Sequence, residues 1–185
     1  MEYVVGLGNP GSRYARTRHN VGWMTLDAVA ESLGAGPERK TRDGLAQQAG
    51  TVKLLKPTTY MNDSGRAVAR MLKNTNAEPQ NVLVVSDDLY LNLGVLRMRR
   101  AGSAGGHRGL ESVIQWLGTD EFPRLKLGVG PCPPDVDARH FVLDAFRQDE
   151  QDLLGRMVEQ AALAVLCWQS EGVETAMNRY NGAVE

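Results

Sequence analysis

The sequence predicts a single α/β domain over residues 1–185, in which a mixed, twisted β-sheet carries helices on both faces. Short apolar runs of the kind that form buried strands alternate along the chain with longer segments of helical periodicity. No repeat or low-complexity stretch interrupts this alternation. The hydrophobic content of 42% and the charged content of 23% are those of an ordinary globular domain.

Six apolar runs have the length and composition of strands. The second and third follow each other directly, so we expect them to form a hairpin. The polar residues 35–43, which include Gly36 and Pro37, are expected to form a loop. The predicted strands are residues 3–7, 45–50, 51–55, 81–86, 95–98 and 125–129.

Five further segments have the apolar spacing of helices. Gly34 follows the first segment and suits the position just beyond the end of a helix. Asp63 or Ser64 is expected to cap the second helix. The predicted helices are residues 21–33, 64–73, 110–117, 153–168 and 173–180.

The formal net charge of −1 conceals an uneven distribution of charges. Residues 1–126 hold 17 Lys and Arg against 12 Asp and Glu, whereas residues 127–185 hold 4 against 10. This asymmetry predicts a positive face that attracts a polyanion, with ordinary variation of the surface as the alternative.

The sequence predicts a cytoplasmic protein without metal or cofactor. Glu2 and the short apolar run after it are not typical of a signal peptide, and no apolar run approaches the roughly 20 residues of a membrane helix. Cys132 and Cys167 are far apart, so we expect two free thiols. Because there is no GxSxG motif and no metal-ligand spacing, catalysis is expected to use a water molecule activated by a base.

The segment GLGNPG at residues 6–11 satisfies the GxGxxG pattern of dinucleotide-binding turns and follows a predicted strand. A dinucleotide site also requires an amphipathic helix directly after the turn, whereas the following residues are polar. The dinucleotide pattern also includes an acidic residue about 20 positions further on, and the nearest candidate, Asp27, lies inside a predicted helix. We therefore favour a turn that places the side chain of Asn9 in the crevice at the carboxyl edge of the sheet, over a plain structural turn.

His19 and Asp87 are the candidates for acid–base chemistry. His19 lies ten residues beyond Asn9, among cations, and a neutral imidazole is the usual general base near neutral pH. Asp87 is predicted at the carboxyl end of a buried strand, where a carboxylate can orient a histidine. The alternatives are a structural histidine and a solvated carboxylate.

Two polar segments are candidates for substrate binding. Asn62 precedes a predicted helix and either caps it or contacts a substrate carbonyl. Four arginines and His107 flank a glycine-rich stretch at residues 101–106, and such loops bind phosphate through backbone amides and arginine. The alternative for this stretch is a flexible loop with solvated charges.

These motifs stand in order along the chain: GLGNPG at 6–11, Tyr14, TRHN at 17–20, PTTYMN at 57–62, Asp87, and GGH at 105–107. In this combination the chain resembles the bacterial peptidyl-tRNA hydrolase family from end to end. The resemblance implies a monomeric α/β domain that hydrolyses the ester between a peptide and the terminal ribose of its tRNA, without metal or cofactor.

The resemblance also implies roles for individual residues. It makes His19 the general base, Asp87 its orienting carboxylate, and Asn9 a residue that positions the substrate. The implied binding residues are Tyr14, Met61 and Asn62 for the peptide and the 3′ end, Arg99 and Lys126 for tRNA, and His107 and Arg108 in the glycine-rich segment.

Two positions depart from the family pattern. Arg108 stands where the family usually has the asparagine that helps to place the catalytic water, and Asp135 stands at a basic position that contacts tRNA. A cation at a helix N-terminus is mildly unfavourable. We therefore expect Arg108 to pair with Asp88 or Glu111, or to stabilise bound substrate electrostatically. The departure also leaves open a non-catalytic RNA-binding relative of the same fold.

Overall fold

The computed structural model describes all of residues 1–185 and contains one eight-stranded sheet and six α-helices, which confirms the predicted α/β fold. All six predicted strands are present, and two short strands lie at the edges of the sheet. The strands are β1 (Glu2–Gly6), β2 (Arg39–Lys40), β3 (Gly44–Ala49), β4 (Val52–Pro57), β5 (Val82–Asn92), β6 (Val95–Arg99), β7 (Arg124–Gly130) and β8 (Gly182–Ala183).

The strand order across the sheet is β2-β3-β4-β1-β5-β7-β6-β8. The central strands β4, β1, β5 and β7 are parallel, and the outer strands pair antiparallel, with β3 and β4 forming the predicted hairpin. Central parallel strands are buried on both faces, which explains their continuous apolar runs. In β1, for example, Val4 contributes to one core, whereas Tyr3 and Val5 contribute to the other.

Helices cover both faces of the sheet. The larger core lies under α1, α4, α5 and α6, and the smaller core lies under α2 and α3. No helix combines the length and the apolar character needed to span a membrane. The helices are α1 (Val21–Ser32), α2 (Ser64–Leu72), α3 (Arg108–Leu117), α4 (Ala138–Leu143), α5 (Gln151–Glu171) and α6 (Val173–Tyr180).

The N-terminal end of α1 packs on the sheet with almost no space between the backbones. A Cβ atom added at Gly22 would lie 2.6 Å from the carbonyl oxygen of Leu7 and 2.7 Å from that of Val85. A Cβ atom at Gly6 would lie 2.4 Å from the carbonyl oxygen of Gly22. Glycine permits this contact, and the contact holds the preceding 3₁₀ turn, Arg18–Asn20, close to the carboxyl end of β1.

The prediction that Asp87 ends its strand is wrong, because β5 continues to Asn92. The neighbouring strand β1 ends at Gly6, which pairs with Val85. Beyond Val85, β5 has no partner strand on the side of β1. Asp87 therefore faces an open crevice there, while β5 continues to pair with β7 on its other side.

Three smaller predictions also need correction. Neither candidate caps α2: the carboxylate of Asp63 lies 2.9 Å from Nε of Arg66, and the hydroxyl of Ser64 donates to the carbonyl of Met61. The predicted loop at 35–43 contains the two-residue strand β2. The helix α4 and the strand β8 were not predicted, because elements this short carry no hydrophobic period.

Candidate active site

A cavity of about 600 Å³ opens beyond the ends of the central strands. Its walls come from the turn after β1, the 3₁₀ turns that precede α1 and α2, the distal half of β5, the glycine-rich loop before α3, and α4. Eight of the predicted site residues line it: Asn9, His19, Met61, Asn62, Asp87, His107, Arg108 and Lys126.

His19 and Asp87 meet in this cavity. Nδ1 of His19 lies 2.8 Å from Oδ1 of Asp87. An ionised carboxylate only accepts hydrogen bonds, so Nδ1 donates the proton and Nε2 of His19 keeps a free lone pair. Nε2 has no hydrogen-bond partner in the protein, and the ring lines the cavity. An imidazole in this state can remove a proton from water.

His107 shares the same carboxylate oxygen. Its Nε2 lies 2.9 Å from Oδ1 of Asp87, and its Nδ1 accepts from the backbone N–H groups of Gly109 and Leu110 at 3.1 and 3.3 Å. Nδ1 therefore carries no proton, Nε2 donates to Asp87, and the imidazole is neutral. The side chain of His107 thus caps α3 and is fixed in one tautomer, which the sequence reasoning did not foresee.

Burial and charge act in opposite directions on the His19–Asp87 pair. Burial disfavours the protonated form of His19, but the adjacent carboxylate outweighs it, so the pKa of His19 lies above its ordinary value. Burial also penalises the Asp87 anion, but the two imidazoles outweigh that penalty and hold the pKa of Asp87 well below its usual range. Asp87 is therefore ionised whenever His19 acts as a base.

Asn9 presents a fixed donor to the cavity. Its Oδ1 accepts from the backbone N–H of Met61 at 3.0 Å, so its NH₂ group remains to donate elsewhere. Its backbone is bound twice by Asn20, whose Oδ1 accepts from the N–H of Asn9 at 2.9 Å and whose Nδ2 donates to the carbonyl at 3.0 Å. The fully buried Asn20 therefore sets the position of Asn9, a role that the sequence did not reveal.

Arg124 holds the glycine-rich loop in place. This arginine is 1% exposed and forms no ion pair; its guanidinium donates to four backbone carbonyls instead. The loop that it holds leads directly into His107. Arg124 thereby supports the second partner of Asp87, although nothing in its sequence neighbours shows that it is buried. The accepting carbonyls are those of Gly102, Ser103, Asp120 and Phe122.

The cationic side chains of the cavity differ in their partners. Nζ of Lys126 lies 3.3 Å from Oδ2 of Asp88. Arg108, the first residue of α3, is exposed and pairs with neither Asp88 nor Glu111, so the predicted acidic partner is wrong. Arg139 of α4 also lines the cavity without an ion pair, and the sequence reasoning missed it because α4 was not predicted.

Asn62 lines the cavity from an exposed position and makes no capping hydrogen bond, so its carboxamide is free to meet a ligand. Two other predicted residues lie outside the cavity. Tyr14 belongs to the 3₁₀ turn Ser12–Tyr14, where its phenol contacts Arg13. Arg99 is exposed at the end of β6.

The GxGxxG segment serves packing. The residues after it form the 3₁₀ turns Ser12–Tyr14 and Arg18–Asn20, and no helix begins at the turn to face a pyrophosphate. A Cβ atom at Gly8 would lie 2.6 Å from the ring of Trp23, so this glycine allows α1 to approach. The structure thus agrees with the sequence argument against a dinucleotide site.

His19, Asp87 and His107 are also the side chains best placed to hold a cation, since their ligand atoms lie within 4.8 Å of one another. However, the two nitrogens that face Asp87, Nδ1 of His19 and Nε2 of His107, both donate hydrogen bonds to it and so have no free lone pair for a cation. The observed arrangement is therefore that of a site that handles protons.

The fold and the site together place this chain among α/β enzymes whose site, at the carboxyl edge of the sheet, holds a histidine paired with a carboxylate. Comparison with known proteins then gives the family, because the family model described as peptidyl-tRNA hydrolase matches residues 3–185. The chain belongs to this family.

Individual relatives are similar over nearly their whole length. A peptidyl-tRNA hydrolase of Symbiobacterium thermophilum is 48% identical over 184 residues, which cover 96% of this chain and 97% of the relative. That of Chloroflexus aggregans is 44% identical over 186 residues, 98% of this chain and 99% of the relative. The crystal structure of peptidyl-tRNA hydrolase from Acinetobacter baumannii superposes with a TM-score of 0.91 at 33% identity and covers 100% of this chain and 96% of that chain.

Proposed function

We propose that this chain hydrolyses the ester bond of peptidyl-tRNA and releases the peptide and free tRNA, with His19 as the general base. The observation that carries the proposal is the free Nε2 of His19, which lies in the cavity while the ionised Asp87 anchors the other nitrogen. Membership of the family supplies the substrate. The intact base and carboxylate favour catalysis over the RNA-binding alternative.

In the proposed reaction, a water molecule gives a proton to Nε2 of His19 as its oxygen attacks the ester carbonyl. The carbonyl oxygen takes up the negative charge of the tetrahedral intermediate. The intermediate collapses, the bond between the acyl carbon and the ribose oxygen breaks, and that oxygen receives the proton from His19. Asp87 stabilises the imidazolium between the two proton transfers. The products are a tRNA with a free terminal hydroxyl and a peptide acid, which releases its proton to solvent and becomes a carboxylate.

Asn9 is the donor best prepared to stabilise the oxyanion, because Met61 and Asn20 fix its NH₂ group before substrate binds. Asn62 supplies a second carboxamide without a protein partner. A preorganised donor contributes about 10²–10³ in rate, and general-base catalysis about 10²–10⁴. Together these effects are adequate for an ester, which is more reactive than an amide.

The proposed tRNA contact begins at Lys126 in the cavity and extends outward along the strands β6 and β7. Arg97 pairs directly opposite Lys126 in antiparallel register, so their side chains share one face of the sheet, and Arg99 follows two residues further on that face. This row of cations begins at the cavity and suits the phosphates near the 3′ end of tRNA. The family resemblance supports a monomer that acts in the cytoplasm.

The function is tested by the release of labelled peptide from N-blocked peptidyl-tRNA, with unblocked aminoacyl-tRNA as the control substrate. We expect rapid release from the blocked substrate and little from the control. A protein that binds the blocked substrate tightly but releases no peptide would contradict the proposal and support the RNA-binding alternative.

A further inference from the structure

The active-site cavity contains two arginines that form no ion pair with a side chain of the protein. Its acidic residues are already engaged: Asp87 accepts from two histidines, and Asp88 lies 3.3 Å from Lys126. Arg108 and Arg139 line the same cavity and form no ion pair. The cavity is therefore prepared for an anion that the protein itself does not supply.

Each of these arginines is held close to the cavity by its element. Arg108 follows directly on His107, whose ring is fixed by Asp87 and by the backbone of α3. Arg139 is the second residue of α4, and the acid nearest to it, Asp137, is occupied as the helix cap by accepting from backbone N–H groups. Both guanidinium groups thus remain available to a ligand.

The proposed hydrolysis creates an anion inside the cavity that His19, Arg108 and Arg139 line. The substrate has a neutral ester next to His19, and breaking it yields a carboxylic acid, which ionises at neutral pH because the pKa of a terminal carboxyl group is about 3.3–3.7. A guanidinium binds a carboxylate through two parallel hydrogen bonds. In the proposed complex, the tRNA phosphates contact instead the arginines of β6, which are exposed outside the cavity.

We infer that Arg108, together with Arg139, forms a subsite for the C-terminal carboxylate of the released peptide. An N-acylated peptide acid is then a retained product and a competitive inhibitor, and it binds more tightly than a peptide with an uncharged end. The apolar side chains of Met61, Val142 and Leu143, which also line the cavity, accommodate the rest of the peptide. This inference rests on the proposed hydrolase function, because that reaction is what places a carboxylate here.

The test compares an N-acetylated dipeptide acid with the same dipeptide carrying a C-terminal primary amide, titrated by NMR without tRNA. Wild-type protein should bind the acid about tenfold or more tightly than the amide, as expected for hydrogen bonds to a charged group. Arg108→Gln should reduce this preference to about threefold or less, and Arg139→Gln should reduce it in the same direction. Arg156→Gln is the matched control, because Arg156 is an exposed arginine of α5 that does not line the cavity.

Equal affinity of wild-type protein for the acid and the amide would overturn the inference, as would a preference that survives in both cavity variants. Cytidine 5′-monophosphate serves as the phosphate arm. If its binding depends on Arg108 while that of the peptide acid does not, the arginines form a phosphate subsite and the inference is wrong. The hydrolase function is judged separately, by peptide release from peptidyl-tRNA, so that either conclusion can fail alone.

Discussion

The proposed role of His19 as a base depends on its Nδ1, which is held by an ionised carboxylate that also accepts a hydrogen bond from His107. Oδ1 of Asp87 accepts from His19 at 2.8 Å and from His107 at 2.9 Å. The two rings together hold the pKa of Asp87 well below its usual range, so the partner of His19 is an anion.

The Asp87→Asn substitution tests this electrostatic relation. The base must be neutral, so kcat/KM of the wild type should rise with pH through an apparent pKa above the ordinary histidine value of about 6.5. Without the carboxylate only the effect of burial remains, so this rise should move to lower pH, and the plateau rate should fall by about 10²–10³. The measurement is a pH–rate profile of both proteins; an unshifted rise would show that Asp87 does not set the pKa of His19.

For individual residues, the sequence indicated which side chains belong to the site but not which partners they have. Asn9 and Asp87 could be proposed because each follows a buried apolar run, although β5 continues past Asp87, and His19 because a neutral imidazole is the usual general base. The role of Asn20 depends on hydrogen bonds to a residue 11 positions away. The tautomer of His107 depends on a carboxylate 20 positions away. Such contacts follow from the packed fold and leave no local pattern.

At the level of secondary structure, the packing of α1 fixes the position of His19. The 3₁₀ turn that contains His19 leads straight into α1, and the backbone of α1 touches the sheet at Gly22. Arg18 strengthens the same turn: its guanidinium donates to the carbonyl of Ala145 at 2.5 Å and to Glu150 at 2.7 Å. The position of His19 is therefore fixed by two independent sets of contacts, those of Gly22 and those of Arg18.

The Gly22→Ala substitution should force α1 away from the sheet. The added methyl group would meet backbone atoms of Leu7 and Val85, which cannot move aside as side chains can, so the free energy of unfolding should fall by about 1–3 kcal/mol. Because His19 moves with the helix, kcat should fall as well.

Gly155→Ala is the matched control. Gly155 lies within α5 with open space around its Cα, so alanine should raise the free energy of unfolding by about 0.5–1 kcal/mol. Thermal unfolding checks both, and a Gly22→Ala protein as stable and active as the wild type would refute the close-contact argument.

The sequence predicted the strands and helices that have a clear hydrophobic pattern of their own. It did not predict the parts of strands that form only because two distant segments pair. The strands β1 and β5 contain continuous apolar runs, and α5 and α6 have helical periods. The extension of β5 to Asn92 follows from its pairing with β7, and β8 exists because it pairs with β6. Pairing between distant segments is not visible in the pattern of either segment.

Across the whole molecule, charge is divided between a basic part and an acidic part. The acidic part, residues 127–185, includes α5 and α6, which pack on the face of the sheet opposite to α2 and α3. On β6, Leu96 and Met98 point into the core beneath α5, so the alternating Arg97 and Arg99 point to the other face. Arg97 and Arg99 therefore lie on the opposite face of the sheet from the acidic helices α5 and α6.

The affinity for tRNA should fall with salt, because cations that bind phosphates release counterions. Arg99→Gln should flatten the log–log slope by about 0.7–0.9, the value of one phosphate contact. Lys126→Gln should flatten it less, because Asp88 already lies 3.3 Å from the ammonium. Arg156→Gln, in the acidic part, is the control and should leave the slope unchanged. The measurement is Kd for uncharged tRNA over a series of salt concentrations, and an unchanged slope for Arg99→Gln would place the tRNA elsewhere on the surface.

The central claim, that His19 activates the water that cleaves peptidyl-tRNA, is tested most directly by His19→Ala with peptidyl-tRNA under saturating conditions. Because the base acts in the chemical step and not in binding, kcat should fall at least ~10²-fold while Kd for tRNA stays nearly unchanged. A variant that keeps more than about a tenth of the wild-type kcat would contradict the claim, because a general base contributes far more than that.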